Sequence, residues 1–224
     1  NAKDFNLTAL SMDQIDLTIN SGAKGKCLNL ILDKVTQQKI TTQDLKINSE
    51  NCLREKKPSL ANNSANSLIR QINVSTENKS MALYYLSLSS QQESMTEASL
   101  WYNDLAIKAD NTNALFYWQQ AAVNKNKQTQ QDSITPSLAK AYELGLKRKE
   151  TALSFGLVQY NNKKYELAAN AWQSALDGLN KQKNKSKSEL EQIKWLQSKI
   201  KEIRNPNHLA NKTNTTNIAA ENTK

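Results

Sequence analysis

Residues 152–176 read Ala-Leu-Ser-Phe-Gly-Leu-Val-Gln-Tyr-Asn-Asn-Lys-Lys-Tyr-Glu-Leu-Ala-Ala-Asn-Ala-Trp-Gln-Ser-Ala-Leu. Two apolar stretches at helical spacing, about 150–161 and 164–178, flank a polar Asn-Asn-Lys-Lys turn. Small residues recur at Gly156, Ala168 and Ala175, and large ones at Tyr165 and Trp172. Two antiparallel helices pack closely only where small side chains meet large ones across the contact. The stretch therefore predicts a tight helical hairpin.

This unit resembles one tetratricopeptide repeat. Gly156 takes the family's small position in helix A, Ala168 the small position in helix B, Trp172 the aromatic four residues on, and Ala175 the next small residue. The family's terminal proline is replaced by Asn180, and Gln159 stands at a commonly aromatic place. A repeat needs neighbours to bury its other face. About 34 residues upstream, 114–124 reads as a helix A with Ala121 at the small position, and 137–147 as a degenerate helix B. Further back, Ala98 and Tyr102 repeat the small-then-aromatic step, Asp110-Asn111-Thr112-Asn113 reads as a polar inter-repeat turn, and 81–91 supplies the partner helix. The Tyr-Trp-x-x-Ala-Ala pattern at 117–122 is also similar to Sel-like repeats. The resemblance, over about 80–180, implies an all-α fold. Its architecture would be an antiparallel helix-pair solenoid with a right-handed superhelix.

Outside the repeats, three further regions are expected. Residues 1–75 read as an N-terminal helical region. Ser11 caps a helix that Gly22 ends, although the alternation of Ile15, Leu17 and Ile19 also suits a short strand, and a second helical face runs through Cys27, Leu28, Ile31, Leu32 and Val35. Thr42 caps the next helix, Pro58 stops it, and a polar helix follows from Leu60 to Ile72. Residues 76–204 hold the repeats, with Pro136 expected at a helix's first turn. They close with a capping helix, where Ser186 and Glu189 form a capping box and Leu190, Ile193, Leu196, Ile200 and Ile203 make the apolar stripe. Residues 205–224 are Asn/Thr/Lys-rich, and the composition predicts a disordered tail.

Composition agrees with long helices and narrow apolar stripes. Among 224 residues only 5 are Gly and 3 Pro, and 38% are hydrophobic. The net charge is +9, and 140–204 carries fourteen Lys/Arg against seven Asp/Glu. Such a basic half fits a solubilising surface, nucleic acid or an anionic surface. The lysines are scattered among Asn and Gln without an aromatic-basic motif, which argues against nucleic acid.

The longest apolar run, Met81–Leu86, is far below a membrane span. The chain opens on Asn1, which suits removal of a secretory signal or a trimmed chain. Cys27 and Cys52 lie 25 positions apart. A disulfide is the favoured reading and two separate buried thiols the other. That pairing suits a periplasmic or cell-envelope protein, with a cytoplasmic location as the alternative, and the high Asn, Lys and Gln content suggests a bacterium with an AT-rich genome.

No catalytic constellation is legible. The sole histidine, His208, falls in the tail, and the glycines form no phosphate-binding loop. The expectation is a non-enzymatic scaffold with no cofactor, metal or small-molecule substrate. Its partner would be a protein or peptide segment. The repeat resemblance places the groove at Trp118, Ala122 and Lys125 in one unit and Leu157, Tyr160 and Asn161 in the next. Trp101, Trp172 and Tyr165 read as core, whereas Trp195 lies off its helix's stripe. The alternative function is a basic module that binds nucleic acid or an anionic surface through the lysines of 140–204.

Overall fold

The computed structural model describes residues 25–29, 40–71, 73–126 and 131–205. Among the described residues the secondary structure is helical throughout, in nine helices: α1 Thr42–Arg54, α2 Pro58–Ile69, α3 Thr76–Gln92, α4 Thr96–Ala109, α5 Ala114–Asn126, α6 Gln131–Glu143, α7 Lys149–Asn161, α8 Tyr165–Asn180 and α9 Lys187–Arg204. The expected Ser11–Gly22 helix, residues 30–39 and the tail from 206 lie outside the described residues. The chain forms two compact units that divide between Ser137 and Leu138, within α6.

Local chemistry sets the helix ends, with some departures from expectation. Thr41 rather than Thr42 caps α1. Its Oγ1 accepts the Asp44 N–H at 3.1 Å while its own N–H donates to Asp44 Oδ2 at 2.9 Å. The choice follows from Asp44, which sits three residues after Thr41 and completes the reciprocal box. Pro58 does not stop α1. It occupies the first turn of α2, where a missing N–H costs nothing. Cys27 and Leu28 are not helical. Pro136 lies inside α6 rather than at its start, so the helix runs on despite one missing backbone bond.

Three turns share one geometry. After α1, α3 and α7 the chain places Lys56, Ser94 and Lys163 at φ 55°, 60° and 59°. In each, the left-handed residue's N–H donates three residues back: Lys56 to Leu53 at 3.1 Å, Ser94 to Gln91 at 3.0 Å, Lys163 to Tyr160 at 3.0 Å. The next N–H donates five back: Lys57 to Cys52 at 2.8 Å, Met95 to Ser90 at 2.8 Å, Lys164 to Gln159 at 2.9 Å. This is the Schellman closure of a helix C-terminus. A new helix begins two residues after the left-handed one in every case.

In the unit that ends at Ser137, each helix from α1 to α5 packs on the next, and α3 also touches α1 and α5. α3 is buried on every side from Ser80 to Ser90. Its core is continuous with Leu45, Leu53 and Leu68 on one flank and Ala106 and Phe116 on the other. The helices on either side of residue 75 thus share one core. Small polar residues let the backbones approach: Ser99 Oγ donates to the Ser87 carbonyl on the facing helix at 2.8 Å. Gln119 Nε2 reaches Ser87 Oγ at 3.2 Å and Gln91 Oε1 at 3.0 Å, and Asn103 Nδ2 donates to the Phe116 carbonyl at 2.9 Å. Buried groups with partners of this kind fix which helix faces meet. Tyr85 Oη donates to the buried Glu50 carboxylate at 2.6 Å. Burial first, then the Glu50 charge, hold the Tyr85 hydroxyl far above its ordinary value.

Cys27 and Cys52 stand at disulfide distance, S–S 2.01 Å. Closing a 25-residue loop removes unfolded-state entropy. Reduction, or Cys27→Ser with Cys52→Ser, should therefore cost about 3 kcal/mol. Denaturant midpoints with and without reductant check this, and identical midpoints would contradict it.

Candidate binding face of the C-terminal helices

In the unit from Leu138 onward, one contact holds α7 against α8. A Cβ built on Gly156 would land on Cδ1 and Nε1 of Trp172. Only a residue without a side chain lets the indole lie against the α7 backbone at this point. The Trp172 Nε1–H donates to the Leu153 carbonyl at 3.3 Å, so the buried ring also satisfies its polar atom. Trp172 is fully packed, with Ala168, Ala169, Ala171, Ala175 and Leu179 buried along the same helix. The core role expected of Trp172 is what the structure shows.

Other rings extend this contact. Tyr160 lies 5.5 Å from Trp172 and 5.4 Å, edge-on, from Tyr165. Trp195 of α9 meets Trp172 edge-on at 5.1 Å. Such aromatic pairs add attraction beyond the area they bury. Trp195, off its expected stripe, thus joins α8 and α9. The buried line of α9 runs through Gln192, Leu196, Ile200 and Ile203. Leu190, expected on that line, is 48% exposed. Tyr142 of α6 stacks on Phe155 at 4.8 Å, and Lys147 Nζ sits 3.5 Å over the Tyr142 ring.

The expected groove residues divide by burial. Leu157 and Tyr160 are half-buried and Asn161 is exposed at the C-terminal end of α7. Leu157 and Asn161 are one helical turn apart and share a face. On α5, Trp118 and Ala122 are buried, 7% and 8% exposed, and Lys125 is half-buried. These three share a face at steps of four and three. Trp101, expected in the core, is 59% exposed, packed edge-on against Tyr102 at 4.9 Å. It lies on the side of α4 that also carries exposed Glu97, Asp104 and Lys108.

Charge collects where α7 and α9 begin. Lys149 Nζ is 3.0 Å from Glu189 Oε1 and 3.9 Å from Glu150 Oε1. The Ser186 N–H donates to Glu189 Oε2 at 2.9 Å, and the Glu189 N–H donates to Ser186 Oγ at 3.2 Å. The expected capping box is therefore formed. The backbone Ser186 bond first, then Lys149, hold the Glu189 carboxyl down to about 2. Burial pushes the neighbouring Glu150 carboxyl up. Among the described residues no three His, Cys, Asp or Glu side chains gather as a metal site, and no helix is long and apolar enough to cross a membrane. Comparison with protein-family models, with curated proteins and with solved structures yields no match.

Two consequences can be measured. Gly156→Ala should lower unfolding free energy by about 2 kcal/mol, as overpacking of a tight contact does. Trp172→Ala should cost about 4 kcal/mol through the cavity it leaves. Chemical denaturation reads both; a neutral Gly156→Ala would contradict the contact. For Glu189, a folded-state value below the unfolded one means stability that is present above the usual carboxylate range. That stability is lost as pH falls from about 4.5 toward about 2. Glu189→Gln should flatten that part of the acid-unfolding curve, and an unchanged acid slope would count against the pairing.

Proposed function

We propose that this chain is a tetratricopeptide-type helical scaffold that holds a protein or peptide segment, without catalysis, cofactor or small-molecule substrate. The observation that carries this reading is the recurrence of one hairpin turn, at Lys56, Ser94 and Lys163. The pairs α1/α2, α3/α4 and α7/α8 are each closed by it. Repeated helical hairpins that pack side by side are the unit from which solenoids build extended binding surfaces. The contacts of α3 with both α1 and α5, and the Lys149–Glu189 pair between α7 and α9, support the same reading. So does the meeting of Gly156 with Trp172, the two positions on which the sequence resemblance turns.

In this proposal the accessible part of the groove is Leu157, the outer edge of Tyr160 and Asn161. Within the unit that ends at Ser137, Trp118, Ala122 and Lys125 share a separate face of α5, where Trp118 and Ala122 act first through packing. The Cys27–Cys52 pair favours an oxidising compartment, hence a bacterial periplasm or cell envelope and an assembly or accessory role there.

The second reading, a basic module for nucleic acid or an anionic surface, draws on the fourteen cationic residues of 140–204. Several of these cations already hold intramolecular partners. Lys140 meets Glu143 at 3.1 Å, Lys149 meets Glu189 at 3.0 Å and Lys199 meets Glu202 at 2.9 Å. That engagement favours the scaffold.

The test is retention of envelope proteins by immobilised chain, compared with a Leu157→Arg/Asn161→Arg variant of unchanged helicity. The scaffold reading expects a retained protein that withstands high salt and drops at least tenfold on the variant. Retention that is the same on both chains would overturn the groove. Binding to duplex DNA or heparin that falls steeply with salt would transfer the function to the basic reading.

A further inference from the structure

Residues Gly25–Asn29 lie along α1 and are held by the Cys27–Cys52 disulfide and by hydrogen bonds of their main chain. Asn48 Oδ1 accepts the Leu28 N–H at 2.8 Å, and Asn48 Nδ2 donates to the Leu28 carbonyl at 2.9 Å. One carboxamide thus reads both backbone groups of a single residue. Its remaining N–H donates to Ser64 Oγ of α2 at 2.7 Å, which fixes the amide plane. Asn48 is buried, so the clamp is built into the α1–α2 hairpin. One residue earlier, the Cys27 N–H donates to Glu55 Oε1 at 2.9 Å, and Lys57 holds the other Glu55 oxygen at 2.6 Å. The Cys27 sulfur meets the buried Cys52.

The side chains of this segment show what such a clamp requires. Lys26 and Leu28 are exposed, so neither is specified. At Gly25 a Cβ would stand 2.6 Å from Asn51 Nδ2, and Asn51 is buried with its Oδ1 bonded to Arg54. The surface therefore leaves little room for a side chain at Gly25, offers a disulfide partner to Cys27 and reads Leu28 through its peptide groups. Recognition of an extended chain by its main chain, with pockets at chosen side chains, is a general mode of peptide binding.

We propose that the α1 face formed by Asn48, Cys52 and Glu55 is a cleft for a Gly-x-Cys segment, filled here by the chain's own Gly25–Asn29 and open, once a dithiol reduces the Cys27–Cys52 bond, to the same segment of a second copy. A second copy carries the one segment whose fit the structure displays. Eleven residues separate Asn29 from Thr41. Exchange of an identical element between protomers then needs no new contact. The inference concerns α1 and stands independently of the proposed groove on α7.

The test mixes full-length Cys52→Ser chain, the donor of Cys27, with full-length Cys27→Ser chain, the holder of Cys52, under oxidised glutathione. Two thiols lose two protons and two electrons to form the intermolecular disulfide. The glutathione disulfide takes both up and leaves as two glutathione thiols. Non-reducing electrophoresis and peptide mapping should show a Cys27–Cys52 heterodimer at least tenfold above either homodimer. Asn48→Asp in the acceptor keeps a partner for Ser64 but cannot donate to the Leu28 carbonyl, and should cut the yield about tenfold. Gly25→Val in the donor, outside the helical body, should cut it similarly. Heterodimer no more abundant than the homodimers, or indifferent to both substitutions, would overturn the proposal.

Discussion

Close approach of consecutive helices is the constraint on which each unit rests. At Gly156 the Trp172 ring takes the volume that any side chain would need, and at Ser87 a hydroxyl from the facing helix reaches the backbone carbonyl. Both contacts bring a side-chain group of one helix to the main chain of the next. Once this happens, few side chains are needed to exclude water between the helices, which is how a chain of such modest hydrophobic content still forms a core. Tyr160, Tyr165 and Trp195 then spread outward from Trp172. The Leu157 and Asn161 face is held at the edge of that cluster.

The hairpin turns matter for a different reason. Lys56, Ser94 and Lys163 take a backbone conformation that side chains disfavour. The orphan carbonyls of the preceding helix are satisfied in return by the two N–H groups that follow. The reversal is short, so the next helix starts close to the last turn of the previous one. That shortness lets sequence-adjacent helices share a long contact instead of diverging.

Features set by neighbours in sequence were legible. The Ser186–Glu189 box, the Asn-Asn-Lys-Lys turn and the Gly156, Ala168 and Trp172 spacing all depend on offsets of a few residues. Thr41 and Thr42 were separable only by asking which has Asp44 three residues on. The left-handed turns were not legible, because lysine and serine carry no signal for positive φ as glycine does. Trp101 was misread because periodicity gives a helix face but not whether another helix covers it. The burial of Trp118, and the role of Trp195, likewise depend on partners distant in sequence. Of the candidate groove, Leu157 and Asn161 were named through the repeat resemblance, whereas the clamp on Leu28 joins residues twenty positions apart and left no local trace.

The all-round burial of α3 carries a consequence for how this unit could lengthen or shorten over generations. A helix with no solvent face cannot become an end piece, since removing the hairpin on either flank would expose Leu83, Tyr84 or Leu88 to water. Deletion of the helices that flank α3 is therefore barred unless its sequence changes as well. Duplication meets no such barrier, because an added hairpin only needs a face like the one it copies. The interior of the unit is fixed in number, and growth or loss is confined to its margins.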